Sequence, residues 1–315
     1  MAPRADTAGI LAGNRISIAR AISLVENDDP EGEPLLRILF PHTGAACRIG
    51  ITGPPGAGKS TLTTRLAAAY RREGKRIGII AVDPTSPFTG GAVLGDRVRM
   101  GDVELDTGVF IRSMASRGNP GGLSKAAGDA ADILDASGMD IILLETVGVG
   151  QSELDIARAA DVTVVVLVPE SGDAVQAMKA GLMEIADLFV MNKSDRPGAE
   201  QAIQALSSTL MFRQSTLPPP DVVRTVASEG KGVDEVVDAI GTFRERMEAE
   251  GGMVRRRRER METRIADIVV SRVRRQLWTP ERRAQLESSV EAVLRGECTP
   301  FDVAHTLIDS IGPDS

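Results

Sequence analysis

Residues 47–60 read C-R-I-G-I-T-G-P-P-G-A-G-K-S, an apolar run that leads into a glycine-rich turn ending in Gly-Lys-Ser. From Gly53 to Ser60 the turn has the spacing G-x-x-x-x-G-K-[ST] of a phosphate-binding loop, which joins a buried strand to a helix. Glycines let successive backbone N–H groups surround an anion, and the dipole of the following helix favours negative charge there. We therefore predict the α/β fold of phosphate-loop NTPases, with a mostly parallel central sheet flanked by helices and helical extensions at both ends.

The predicted contacts with the nucleotide phosphates come from this one loop. Lys59 is expected to reach the β and γ phosphates, and the Ser60 hydroxyl is expected to bind Mg²⁺. A tight strand-to-helix turn without a ligand is the alternative, and the strand pattern before the loop and the helical pattern at 61–72 argue against it. The residues predicted to bind phosphate are Gly53, Pro54, Pro55, Gly56, Ala57, Gly58, Lys59, Ser60 and Thr61.

The composition of the 315-residue chain argues against several classes of function. Its net charge is −7 and its aromatic content is 3%, so we expect neither nucleic-acid binding nor attraction to an anionic membrane. No stretch approaches the roughly 18 apolar residues of a membrane span, and residues 1–30 lack the pattern of a signal peptide. The two cysteines, Cys47 and Cys298, are far apart in the sequence, which is consistent with a reducing compartment. We therefore expect a cytoplasmic protein.

Two further apolar runs, 76–82 and 139–144, are followed by the carboxylates Asp83 and Glu145. Because the carboxyl ends of parallel strands meet at one edge of a sheet, these side chains are expected near the phosphate loop. Turn, helix-cap and solvent-exposed roles are the alternatives. Oxygen ligands suit Mg²⁺, and the predicted metal ligands are Ser60, Asp83, Asp96 and Glu145. The predicted catalytic residues are Lys59, Asp83 and Glu145.

The loops after these two strands supply further candidates. Arg99 is expected to reach the nucleotide phosphates, with a solvated helical arginine as the alternative. The Gly148 N–H is expected to contact the γ phosphate. Gln151 or Glu153 is a candidate for orienting the attacking water, although helix capping is the preferred interpretation of both.

A fourth apolar run, 186–191, is followed by the sequence N-K-S-D. The Asp195 carboxylate can accept from the N1–H and the exocyclic amine of guanine, a set of donors that adenine lacks. The Lys193 stem can lie along the base, and Asn192 can tie neighbouring loops together. The residues predicted to bind the base are Asn192, Lys193 and Asp195, with the backbone of Ala227 and Ser228 after a strand predicted at 222–228.

Helical patterns at both ends predict three regions along the chain. These are an N-terminal helical extension (1–44), a nucleotide-binding domain (45–247) and a C-terminal helical arm (248–315). In the arm, four consecutive arginines at 255–258 are interleaved with glutamates, which favours a solvated, salt-bridged helix over a nucleic-acid surface. An arm that extends beyond a completed domain is expected to form a homodimer.

Together these motifs resemble those of the MeaB/ArgK GTPases, also called methylmalonyl-CoA mutase-associated GTPases, of the SIMIBI class. Besides the phosphate loop and N-K-S-D, the resemblance includes A-V-D-P-T-S, G-G-A-V-L-G-D-R-V-R-M, L-L-E-T-V-G-V-G-Q-S-E and G-D-A-V-Q-A-M-K-A-G. It implies a homodimeric chaperone that hydrolyses GTP to GDP and gates cofactor loading and reactivation of an adenosylcobalamin-dependent acyl-CoA mutase. It also implies a third switch at 169–179, coupled to the partner through Asp173, Gln176 and Lys179.

The sequence departs from the family pattern at two places, and other functions stay open. The entry to the third switch reads P-E-S-G-D at 169–173, and the loop at 227–230 is about one residue short. The alternatives are a metallochaperone GTPase, an ArgK-like ATPase or kinase, and a scaffold with an inactive nucleotide site. The histidines and cysteines form no short metal-binding motif, and N-K-S-D favours guanine over adenine.

Overall fold

The computed structural model describes residues 6–83, 105–115, 122–146, 152–169, 181–211 and 219–309. These residues form a seven-stranded sheet with the strand order β3-β2-β4-β1-β5-β6-β7, in which every neighbouring pair is parallel. The predicted α/β fold with a parallel central sheet is therefore confirmed. The strands are β1 (Cys47–Thr52), β2 (Ile77–Asp83), β3 (Val109–Ala115), β4 (Ile141–Thr146), β5 (Val162–Leu167), β6 (Leu188–Met191) and β7 (Asp221–Arg224).

The strand that precedes the phosphate loop, β1, lies at the centre of the sheet between β4 and β5. The register pairs Ile51 of β1 with Glu145 of β4, and Leu167 of β5 with Met191 of β6. The segments that follow these four strands therefore leave the sheet at the same edge. Open parallel sheets bind their ligands at this edge, beyond the carboxyl ends of the strands.

Helices cover both faces of the sheet and form the two ends of the described chain. Two short 3₁₀ turns occur at Phe40–His42 and Ala227–Glu229. The helices are α1 (Thr7–Leu11), α2 (Arg15–Glu26), α3 (Gly32–Leu39), α4 (Lys59–Arg72), α5 (Gly122–Ala136), α6 (Ser152–Ala159), α7 (Leu182–Ile185), α8 (Ala199–Met211), α9 (Val233–Ala249), α10 (Gly252–Leu277), α11 (Pro280–Leu294) and α12 (Pro300–Asp309).

The core of the sheet is buried on both faces. On one face, α4 packs against β1, and α9 packs against α4, β6 and β7, with Ile49, Leu66 and Ile240 among the buried side chains. On the other face, α5 packs against β2 and β4, and α2 and α3 pack against α5. At Gly50 of β1, a Cβ would lie 2.9 Å from Ile156 Cγ2 of α6, so glycine allows this helix to approach the strand closely. Burial on two faces explains why these strands read as continuous apolar runs in the sequence.

The N-terminal helical extension consists of separate short helices. The helical spacing over 8–27 is divided between α1 and α2, because Gly13 has a φ of +76°. Asn14 then caps α2 by accepting hydrogen bonds from the backbone N–H groups of Ile16 and Ser17. A left-handed residue followed by a capping residue ends one helix and starts the next.

One strand is longer than most of the others, and another is shorter than the sequence predicts. β3 extends to Ala115 because it pairs along its whole length with β2. β7, predicted over 222–228, ends at Arg224. Its partner β6 ends at Met191, the residue paired with Arg224, and the next residues form a tight loop in which the Thr225 hydroxyl bonds to Asn192.

The chain divides into two compact units, Met1–Arg257 and Arg258–Ser315. Within the second unit, the end of α10 and the two last helices line an apolar pocket of about 320 Å³, which includes Trp278 and Leu307. None of the helices in the described ranges is both long enough and apolar enough to cross a membrane.

The prediction of a solvated arginine run is only partly right. Arg256 donates to both carboxylate oxygens of Asp187 at 2.6 and 2.8 Å. Arg257 contacts both oxygens of the fully buried Asp161 at 3.2 Å. Because these aspartates directly precede β6 and β5, the first unit holds the start of α10 at the amino ends of two strands. Arg258 instead forms an exposed ion pair within α10, as predicted.

Candidate functional site

The phosphate loop, residues 53–58, connects β1 to α4 and packs against two neighbouring elements. Gly53 and Gly58 have φ values of +137° and +90°, which favour glycine. A Cβ on Gly53 would lie 2.1 Å from the carbonyl oxygen of Val166, and a Cβ on Gly58 would lie 2.3 Å from Nδ2 of Asn192. The predicted phosphate-binding residues thus form one loop and the first turn of α4, and the loop lies directly against β5 and Asn192.

Lys59, the first residue of α4, directs its ammonium group back to the phosphate loop. Nζ donates to the carbonyl oxygens of Gly53 at 2.7 Å and Pro54 at 3.1 Å, and the residue is 6% exposed. A phosphate oxygen is a stronger acceptor for an ammonium group than a neutral carbonyl, because both partners are then charged. The lysine is therefore already placed where it can bind a phosphate.

Ser60 and Glu145 bring a hydroxyl and a carboxylate together beside the phosphate loop. The Ser60 hydroxyl donates to Glu145 Oε1, and Glu145 is 1% exposed at the carboxyl end of β4. These are the hard oxygen ligands that Mg²⁺ prefers, so the donor set fits a divalent cation. Among the described residues, no group of three or more histidine, cysteine, aspartate or glutamate side chains has the geometry of a metal site.

Several residues named in the sequence analysis lie outside this description. For Asp83 only the backbone is described, at the end of β2, where the preceding Val82 is paired with Thr146 of β4. The sequence candidates outside the described residues are Asp96, Arg99, Gly148, Gln151, Asp173, Gln176 and Lys179.

Asn192, directly after β6, joins three loops through one buried side chain. Its Nδ2 donates to the Ala57 carbonyl oxygen of the phosphate loop at 2.8 Å. Its Oδ1 accepts from the Thr225 hydroxyl at 3.1 Å and from the Ala227 N–H at 3.0 Å. Because an amide has separate donor and acceptor atoms, this one residue fixes the phosphate loop relative to the loop at Ala227.

The other residues of the N-K-S-D sequence lie at the rim of the same site. Lys193 adopts a left-handed φ of +56°, and its Nζ donates to the Gly56 carbonyl oxygen at 2.8 Å. Ser194 bonds through both its N–H and its hydroxyl to the Thr225 carbonyl oxygen. Asp195 is exposed, so its carboxylate is accessible to a nucleotide base.

The base loop, which we define as residues 225–232, follows β7 and contains the 3₁₀ turn at Ala227–Glu229. A backbone bridge between Val226 and Lys231 closes it. Gly232 has a φ of +77°, and a Cβ there would lie 2.0 Å from the Arg224 carbonyl oxygen. The loop predicted to contact the base therefore has a defined conformation of its own.

Sequence reasoning missed two side chains that hold this loop. Thr225 orients Asn192, and Arg65 of α4 donates to the carbonyl oxygens of Ala227 and Ser228. Thr225 lay inside the strand predicted at 222–228, so the sequence pattern did not mark it as a residue of the site. Arg65 follows the phosphate loop in an ordinary amphipathic helix, where no local pattern distinguishes it.

A parallel sheet with a phosphate loop after its central strand, joined by Asn192 to a base loop at the same edge, defines a phosphate-loop NTPase. The family described as methylmalonyl Co-A mutase-associated GTPase MeaB matches residues 18–282. A protein of Pyrococcus abyssi named as a GTPase is 47% identical over 304 residues, covering 95% of this chain and 94% of the relative. The chain therefore belongs to the MeaB family, and it is an enzyme that hydrolyses GTP.

Two further comparisons agree with this family. The methylmalonic aciduria type A homolog of Mus musculus is 33% identical over 320 residues, covering 95% of this chain and 77% of the relative. The crystal structure of a LAO/AO transport system kinase superposes with a TM-score of 0.72 at 28% identity, covering 97% of this chain and 96% of that chain. The likeness therefore extends over nearly the whole chain.

Proposed function

We propose that this GTPase is a chaperone of an adenosylcobalamin-dependent acyl-CoA mutase, and that GTP binding and hydrolysis gate cofactor loading and reactivation of that enzyme. The proposed partner rests on the family description, which names methylmalonyl-CoA mutase, and on the mouse relative named for methylmalonic aciduria. The structural observation that carries the nucleotide part is the buried Asn192 side chain, which bonds the phosphate loop and the base loop at once.

In this proposal Mg²⁺ is held by Ser60 and Glu145, with Asp83 and Asp96 as further ligands suggested by the sequence. When bound, the ion neutralises charge that develops on the β and γ phosphates. Lys59 donates to phosphate oxygens in place of the loop carbonyls. These side chains orient the phosphates, and positioning supplies most of the catalysis in phosphoryl transfer.

Guanine is proposed to bind between the N-K-S-D segment and the base loop. The exposed Asp195 carboxylate accepts from the N1–H and the exocyclic amine of the base, and the Lys193 stem lies along its face. A backbone N–H at Ala227 or Ser228 donates to the purine oxygen. Adenine has an amine in place of that oxygen, so its amine would face the backbone N–H, and two hydrogen-bond donors would meet without an acceptor.

Partner coupling and dimerisation are assigned from the family pattern. We place coupling to the mutase at Asp173, Gln176 and Lys179, in the segment that follows β5. We place the homodimer contact in the arm, 248–315, beyond the nucleotide domain at 45–247. Exposed apolar side chains recur at helical spacing along α10, and burying them would favour association: Ile265, Ile268, Val269 and Val273.

The mutase assignment is tested by GTP turnover of the purified protein, alone and with purified methylmalonyl-CoA and isobutyryl-CoA mutases. Complex formation is scored by size-exclusion chromatography with GDP and with a non-hydrolysable GTP analogue. We expect one mutase to accelerate turnover and to bind differently in the two nucleotide states. Unchanged turnover and no complex with either mutase would contradict the chaperone role and leave the GTPase assignment intact.

The guanine site has its own test, the substitution Asp195→Asn. An asparagine amide can donate to the 2-oxo group of xanthine, whereas it keeps only one of the two acceptor oxygens that meet the N1–H and the exocyclic amine of guanine. We expect the preference of the variant to move from GTP towards xanthosine triphosphate. A variant that keeps the wild-type preference would contradict the proposed base contact.

A further inference from the structure

Arg65 lies in the second turn of α4 and reaches across to the base loop. Its Nε donates to the Ala227 carbonyl oxygen at 3.2 Å, and its Nη2 donates to the Ser228 carbonyl oxygen at 2.9 Å. The guanidinium is planar with its donors in a fixed fork, so it sets the direction of both carbonyl groups. Arg65 thereby links the helix that carries Ser60 to the loop at the base.

The direction of these carbonyl groups decides where the loop amides point. In a planar trans peptide the C=O and the N–H point in opposite directions. The Ala227 carbonyl and the Ser228 N–H belong to the same peptide group, so holding the carbonyl towards α4 turns the Ser228 N–H away from α4. The same carbonyl oxygen also accepts from the Gly230 N–H at 3.2 Å, so rotation of that peptide would require breaking both this hydrogen bond and the one to Arg65.

The rest of the loop singles out this one amide. Of the two backbone donors considered for the base, the Ala227 N–H already donates to Asn192 Oδ1 at 3.0 Å. The next amide, that of Glu229, donates to the Val226 carbonyl oxygen at 2.9 Å. The Ser228 N–H lies between these two and is the candidate donor to the oxygen at position 6 of a purine.

We propose that Arg65 is a positioning residue for base recognition, which orients the Ser228 N–H towards the 6-oxo group of guanine. This inference rests on the proposed guanine site and adds to it a residue that does not touch the nucleotide. Arg65 contributes to affinity and to base selectivity, and it takes no part in the transfer of the γ phosphate.

The test compares Arg65→Gln with a matched control on the same helix, Arg72→Gln. Arg72 is exposed and forms an ion pair with Asp234 in the first turn of α9, whereas Arg65 donates to the carbonyl oxygens of Ala227 and Ser228. Dissociation constants are measured by calorimetry for GDP, 6-thio-GDP and IDP. The first analogue weakens the acceptor at position 6, and the second lacks the amine that Asp195 is proposed to read.

For the wild type and for Arg72→Gln, we expect 6-thio-GDP and IDP each to bind more weakly than GDP. In Arg65→Gln, the dissociation constant of GDP should rise about three- to tenfold, the effect of one hydrogen bond. The dissociation constant of 6-thio-GDP divided by that of GDP should fall towards one. The dissociation constant of IDP divided by that of GDP should stay at the wild-type value. At saturating GTP the kcat should be unchanged and the loss should appear in KM.

Two results would overturn the inference. One is an unchanged GDP affinity in Arg65→Gln. The other is a ratio of the dissociation constants of 6-thio-GDP and GDP in Arg65→Gln that equals the wild-type ratio. A loss of folding is separated from a loss of positioning by Arg65→Lys, whose single charged head can hold one of the two carbonyls and should give intermediate ratios. Failure of the proposed guanine site would give a different result, because Asp195→Asn would then leave the ratio of the dissociation constants of IDP and GDP unchanged.

Discussion

Replacing Asn192 by alanine is expected to lower both the stability of the folded chain and its affinity for nucleotide. The side chain is 3% exposed and makes three hydrogen bonds, with the Ala57 carbonyl, the Thr225 hydroxyl and the Ala227 N–H. Ala57, Thr225 and Ala227 are themselves at most 1% exposed. The truncation therefore leaves three buried polar groups without their partner.

The expected magnitude follows from these three groups. A buried polar group that loses its partner costs about 1–3 kcal/mol. Water can enter the space freed by the truncation, so we take the lower value for each group and expect a loss of roughly 3 kcal/mol in the free energy of unfolding. The phosphate loop and the base loop would also move independently, and we expect GDP affinity to fall about tenfold or more, which is about 1.4 kcal/mol.

The assay is urea denaturation followed by far-ultraviolet circular dichroism without nucleotide, with calorimetry for GDP. Equal m-values would permit comparison of the midpoints. Ser194→Ala is the matched control, because it removes one half-buried hydroxyl that donates to the Thr225 carbonyl oxygen at 3.0 Å, and should cost about 1 kcal/mol or less. If Asn192→Ala destabilises the protein no more than this control, Asn192 does not tie the loops as described.

Two other predictions concern groups away from the nucleotide. Burial raises the pKa of the Cys47 thiol from 9.0 to about 12 and raises the pKa of Tyr70 above 10.0. The folded protein therefore keeps protons that the unfolded chain releases between pH 9 and about 12, so the free energy of unfolding should fall as the pH rises over this range. Urea titrations at a series of pH values measure this fall, which should be shallower in Cys47→Ala. Asp187→Asn should lower the urea midpoint by an amount equivalent to about 1–3 kcal/mol, because the carboxylate that accepts from Arg256 becomes a neutral amide with a single acceptor oxygen. Glu262→Gln, which breaks an exposed ion pair, should cost about 0.5 kcal/mol or less, and equal losses in these two variants would contradict a structural role for Asp187.

The sequence was informative where physical constraints are local. Strands buried on both faces must be apolar at successive positions, so the run ending at Glu145 predicted β4 directly. The phosphate loop needs glycine at positive φ and a helix after it, and both requirements are visible in residues 53–60. The parallel sheet then places the ends of these strands at one edge, which explains why Ser60 and Glu145 meet although they are 85 residues apart.

The features that the sequence did not predict depend on contacts between distant segments. Arg256 and Arg257 pair with aspartates that lie 69 and 96 residues earlier, so the local charge pattern suggested a solvated helix. Arg65 bonds to Ala227 across 162 residues. The early end of β7 also depends on a distant segment, because its partner β6 ends at Met191, the residue paired with Arg224. In each case the deciding partner is supplied only by the folded chain.

The distribution of the two fluorescent residue types gives the protein separate optical reporters. Its single tryptophan, Trp278, lines the apolar pocket of the second unit. Its single tyrosine, Tyr70, is buried on α4 in the first unit. Indole emission therefore follows the environment of the arm, while the near-ultraviolet dichroism of the phenol follows the helix behind the phosphate loop. Melting of the two units can be recorded independently in the unmodified chain, without an added label.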